Sequence, residues 1–173
     1  MNPKLEELIA KHEITEVIHL YCRAVDRADT DLLKSIYHPD AEDYHGVYNG
    51  AIAGLLDRWK TPNAAYPMTH HAVTNILIDL KGSVAYVESY FNAVHRRTEE
   101  SAAWDEMVRG RYIDRFEKRA DDWRIARRVV VYDWSRVAPA TGHEWWEFIP
   151  GEYRHGARNG SDVIYAEGIR RGP

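Results

Sequence analysis

Apolar residues fall at Leu5, Leu8, Ile9, Ile14, Val17, Ile18, Tyr21, Cys22 and Val25. This spacing follows the 3.6-residue period of a helix with one buried face and predicts a helix over residues 4–27. Pro3 suits its first turn. Glu13 interrupts the stripe and leaves open a division into two helices. Asp29-Thr30-Asp31 offers an N-cap for a short second helix ending near Ile36. His38-Pro39-Asp40 reads as a turn. A short strand over residues 41–48, closed by Asn49-Gly50, leads into a third helix over residues 51–59, which Thr61-Pro62-Asn63 ends.

Beyond His71 the period changes from 3.6 to 2. Alternating runs over residues 69–80, 84–97, 106–118 and 123–137 predict four strands. Lys81-Gly82, Glu99-Glu100-Ser101 and Ala120-Asp121-Asp122 separate them, so the strands form an antiparallel meander. About three helices followed by such a meander imply an α+β fold. Its expected form is a cone-shaped barrel, with the helices packed on a curved antiparallel or mixed sheet around a pocket. The domain is expected to span residues 1–138. Residues 139–173 form an extension with Gly and Pro punctuation and an aromatic cluster, Trp145-Trp146-Glu147-Phe148. Left exposed, that cluster favours association, so the extension is expected to cover the pocket mouth or meet a neighbouring subunit.

With 173 residues the chain suits one domain with a real core. Aromatic residues make up 12%, enough to line an apolar pocket as well as a core. The net charge of −4 argues against a general nucleic-acid partner. The arginines between residues 109 and 136 interleave with acids and read as ion pairs on strand faces. The single cysteine, Cys22, sits in the helical stripe as a small buried hydrophobe. No apolar run approaches a membrane span, and the start of the chain carries no signal core, so the expected setting is cytoplasmic with no membrane partner.

Candidate chemistry is concentrated in a few polar residues on apolar stripes. Asp26 follows Cys22 by four residues, on the inward side of the first helix. It either caps the next turn or finds a partner inside, because an unpaired buried carboxylate is costly. His71 alternates with Val73, Asn75 and Leu77, a face that reads as buried. It is either a core histidine or, paired with Asp26, a general base. His70, its neighbour, points to the opposite face. Arg128 alternates with Val130, Tyr132 and Trp134, and Arg127 with Val129, Val131 and Asp133; the pattern does not decide which face is inner. Tyr21, Tyr44, His45, Met68, His95, Tyr112, Tyr132 and Trp134 are candidate pocket residues. HExxH spacing, paired cysteines, a Gly-rich phosphate loop and a G-x-S-x-G elbow are all missing, so neither metal nor cofactor is expected.

Several of these residues sit in a familiar arrangement. Tyr21-x-x-Ala24-x-Asp26 on a helix, then Tyr37-His38-Pro39-Asp40-Ala41, resembles the nuclear-transport-factor-2-like superfamily. So does Gly110-Arg111-Tyr112-x-Asp114-Arg115-Phe116-Glu117 followed by Trp123-Arg124-Ile125. The resemblance covers about residues 5–137 and is closest to the SnoaL-like group, which includes polyketide cyclases, scytalone dehydratase and hexachlorocyclohexane dehydrochlorinase. It implies Asp26 and His71 as a catalytic pair and Arg128 as a pocket arginine. It implies a cofactor-independent lyase (a dehydratase, dehydrohalogenase or retro-aldol enzyme) acting on a small hydrophobic molecule. The aromatic content favours an aromatic substrate. The alternatives are a ketosteroid-isomerase-like isomerase or polyketide-type cyclase, and a non-catalytic binder such as the small subunit of a ring-hydroxylating dioxygenase. A homo-oligomer, dimer or trimer, is implied too.

Overall fold

The computed structural model describes residues 2–61, 63–100, 102–140 and 144–167. The first helix, α1 (Pro3–Arg27), is continuous through Glu13. Asn2 caps it by accepting from the Lys4 amide (3.0 Å). It stops at Ala28, whose left-handed backbone (φ +49°) returns its amide to Ala24 and Val25. The buried stripe runs from Ala10 through Ile14, Val17, Ile18, Tyr21 and Cys22 to Asp26, while Leu5, Leu8 and Ile9 stay outside. Asp29 caps α2 (Thr30–Ser35) through the Leu32 amide (3.0 Å).

Strand β1 (Tyr37–Tyr44) takes in the expected His38-Pro39-Asp40 turn. Proline fits because the pairing of β1 jumps between Tyr37 and Glu42, where no ladder donor is needed. Strand β2 (Asn49–Ala51) and helix α3 (Ile52–Trp59) follow. The four long strands are β3 (Met68–Lys81), β4 (Val84–Glu99), β5 (Ala102–Arg119) and β6 (Asp122–Pro139). They form the predicted meander. The six-stranded sheet runs β2-β1-β6-β5-β4-β3, with β1 parallel to β6 and every other pair antiparallel.

Helix α1 packs across β3 and β6, and α3 against β1. The core between helices and sheet joins Ile14, Ile18, Leu33, Leu55, Phe116 and Ile125. The sheet does not close on itself, and the whole is the α+β cone of the nuclear-transport-factor-2-like kind. Most of the strand arginines do pair with acids: Arg111 holds Asp133 and Glu88, and Arg119 holds Asp40 and Glu117.

One face assignment fails along β3. Thr69, His71 and Val73 face inward, but the ladder with β4 shifts between Thr74 and Leu77. Asn75 sits at φ +50° there. The bulge reverses the alternation. Ile76 and Ile78 therefore pack on the core, and Leu77 is 61% exposed.

Candidate active site

A cavity of about 500 Å³ lies between α1, α3 and the inner face of the sheet. Leu33, Trp59, Phe91, Val108 and Val130 give it apolar walls. Ordinary small-molecule sites have this size and character.

Asp26 stands at the end of the buried stripe of α1, beside β3. Its carboxylate receives three donors: Thr69 Oγ1 (3.0 Å), the His71 amide (2.9 Å) and His71 Nδ1 (2.7 Å). The side chain thus reaches across to β3 rather than capping the turn after α1. A carboxylate on Nδ1 fixes the histidine tautomer with its proton there. The lone pair of Nε2 is then the group His71 offers to the cavity it lines. Tertiary packing supports this alignment, since the His71 side chain is only 8% exposed.

His95, on β4, lies beside His71 with Nε2 to Nε2 at 3.4 Å. Burial, with the neighbouring His71, brings its pKa down to about 4. It is therefore neutral at neutral pH, and the site does not place two imidazolium charges together. Tyr66 meets the His95 ring edge-on. Burial pushes the phenols of Tyr21, Tyr37 and Tyr112 well above their usual range. They remain protonated hydrogen-bond donors.

The cavity wall contains His71, Tyr21, His45, His95, Tyr112 and Tyr132. It does not contain Arg128, Tyr44, Met68 or Trp134. Arg128 does point inward, but it is 0% exposed and committed to Asp114 through Nε (2.8 Å) and Nη2 (2.7 Å). The rings of Tyr21 and Tyr112 sandwich its guanidinium at 3.9 and 4.2 Å. It stands behind the wall and holds two wall tyrosines in place. Tyr44 faces outward beneath Arg127, and its hydroxyl bonds to Glu42. The β5–β6 ladder shifts between Arg109 and Gly110, so Trp134 stacks on Arg109 rather than following Tyr132 inward. Met68, the first residue of β3, is 40% exposed.

Three polar residues missed by sequence reasoning belong here. Thr69 shares the parity of His71, two positions earlier, so alternation alone could have found it. Asp43 lies two residues before His45 on the same face. Arg158 carries no periodic signal: it comes from the C-terminal extension and lines the cavity. Its Nη1 and Nη2 reach the carbonyls of Tyr66 (3.4 Å) and Val25 (3.3 Å). Burial lowers its pKa, against a pull upward from Asp26. The extension is anchored beside it, where Asp162 pairs with Arg27 (3.1 Å) and Tyr165 donates to Asp29 (2.8 Å). The aromatic cluster expected over the pocket forms a turn of 3₁₀ helix (Trp145–Glu147) outside the cavity wall, with Phe148 exposed. Among the described residues, no group of three or more His, Cys, Asp or Glu is placed to hold a metal ion, and no helix is long and apolar enough to cross a membrane.

Solved structures with this architecture include a putative scytalone dehydratase from Novosphingobium aromaticivorans. It is 22% identical, with a TM-score of 0.68 over 75% of this chain and 88% of that one. The hexachlorocyclohexane dehydrochlorinase LinA-type3 from Novosphingobium barchaimii is 18% identical, with a TM-score of 0.66 over 86% and 99%. A nuclear transport factor 2-like protein from Salmonella enterica is 20% identical, with a TM-score of 0.65 over 73% and 92%. These likenesses establish the fold. No curated protein matches the sequence at a significant level. The model of the SnoaL-like domain matches residues 6–129. The chain belongs to the SnoaL-like domain family.

Proposed function

We propose that this protein is a cofactor-independent lyase that acts on a small hydrophobic, aromatic molecule. The observation that carries this reading is the Asp26–His71 pair on the wall of an apolar cavity, at 2.7 Å. His71 Nε2 removes a proton from a carbon next to a carbonyl or leaving group. Asp26 holds the ring and stabilises the imidazolium that forms. A positioned base supplies on the order of 10²–10⁴-fold, so the cavity must add positioning. Arg158, in place of Arg128, is the cation available to the negative charge that develops on the substrate.

Direct catalysis by the Asp26 carboxylate, as an isomerase mechanism requires, is less well supported. Both its oxygens already accept hydrogen bonds.

The test is a panel of aromatic substrates assayed without added metal or nucleotide. His71→Ala and Asp26→Asn should each abolish turnover of any active compound while leaving the circular dichroism spectrum intact. Full activity in either variant contradicts the mechanism.

A further inference from the structure

The reading above uses one Asp–His pair, but the cavity wall is backed by two. Asp43 on β1 is 0% exposed. Its Oδ2 accepts from Tyr37 Oη at 2.9 Å, and its Oδ1 faces His45 Nδ1 at 3.0 Å. His45 directly follows β1, lines the cavity and meets Trp59 edge-on, with ring centroids 5.6 Å apart. Its backbone is pinned on both sides. The amide donates to Tyr48 O (2.8 Å), and the carbonyl accepts from Tyr132 Oη (3.0 Å) and the Val47 amide (2.9 Å).

This repeats the first pair in its essentials. A buried carboxylate engages Nδ1, a hydroxyl donor satisfies the same carboxylate, and Nε2 is left for the cavity. In the sheet, β6, β5 and β4 separate β1 from β3. His45 and His71 therefore stand on different walls of one cavity. An ordinary wall histidine needs no buried carboxylate behind it, because burying that charge is costly unless it is paired and hydrogen-bonded.

We propose that His45, oriented by Asp43 and Tyr37, is a general acid that protonates an oxygen leaving group while His71 acts as the base. The substrate class is then a β-hydroxy aryl ketone, or a close relative, that loses water. The inference rests on the His71 reading. In the step, the C–H bond breaks and its electron pair forms the C=C bond. The C–O bond breaks with its pair on oxygen, and that oxygen takes the Nε2 proton of the His45 imidazolium. Water leaves, His71 ends protonated and His45 neutral, and proton exchange with solvent resets both. Hydroxide is a poor leaving group, being the base of an acid with pKa about 15.7, so its departure needs a proton donor. Chloride departs without one, and a second imidazole would be idle.

Two probes separate these cases: β-hydroxypropiophenone and β-chloropropiophenone, both yielding phenyl vinyl ketone. The quantity read is the ratio of kcat/KM for the hydroxy probe to that for the chloro probe. His45→Gln should lower this ratio about 100-fold, and Asp43→Asn should move it in the same direction. His71→Gln should slow both probes together. His45→Gln is the primary variant because the side chain lies at the cavity, and its melting temperature reports folding. A ratio unchanged in folded His45→Gln overturns the proposal. So does wild-type protein that exchanges deuterium at the carbon beside the carbonyl yet releases no water, and that result leaves the base reading standing. Absence of wild-type deuterium exchange overturns both.

Discussion

At His71 the chemistry comes from what stands behind the ring. Three donors converge on Asp26, and only one of them, Thr69 Oγ1, is independent of His71. His95 shows the opposite effect of burial, since its environment opposes a charge. Its pKa near 4 in the folded protein lies below the usual 6.5. Between those values the unfolded chain binds more protons, so stability rises with pH over that window and is lost as pH falls through it. Wild-type melting should therefore drop from pH 6.5 to 4 more steeply than that of His95→Gln. The difference should be on the order of 2 kcal/mol after allowance for partial exposure. Parallel curves in urea titrations across that range would contradict it. Cys22 follows the same logic: burial pushes its thiol up to about 12, as suits the small buried hydrophobe read from its place in the stripe. Asp26 and His71 were legible because each lay on a long periodic stripe. The fate of Arg128 was not, because Asp114 meets it across the β5–β6 ladder, and a single strand does not reveal its neighbour.

Among the elements, the long strands were legible because alternation persists over many residues. Their irregularities were not. One residue at left-handed φ, Asn75, reverses the faces of half of β3. A second shift turns Trp134 away from the cavity. Pro39, a turn signal in isolation, is tolerated inside β1 where pairing skips. The C-terminal extension was the least legible element. It has no period to read, and its contribution comes from one side chain held at two carbonyls. If Arg158 stabilises developing charge, Arg158→Ala should cut kcat about 100-fold and leave the melting temperature nearly unchanged. An unaltered kcat in steady-state kinetics would reduce Arg158 to a structural role.

On the scale of the whole molecule, the fold brings together residues far apart in sequence. Asp26 comes from a helix, His45 from one side of the sheet, His71 and His95 from the other, and Arg158 from the extension. Helices before a meander were enough to read the cone, because the order of elements limits how they can pack. The contents of the cavity depend on register and on the extension. The central claim is that this cavity holds a histidine base directed by a carboxylate. Proton NMR of propiophenone in heavy water tests it most directly, by following deuterium entry at the carbon beside the carbonyl. The wild-type protein should catalyse exchange, and folded Asp26→Asn and His71→Gln should each slow it at least about 100-fold. Exchange at the wild-type rate in folded His71→Gln would contradict the account.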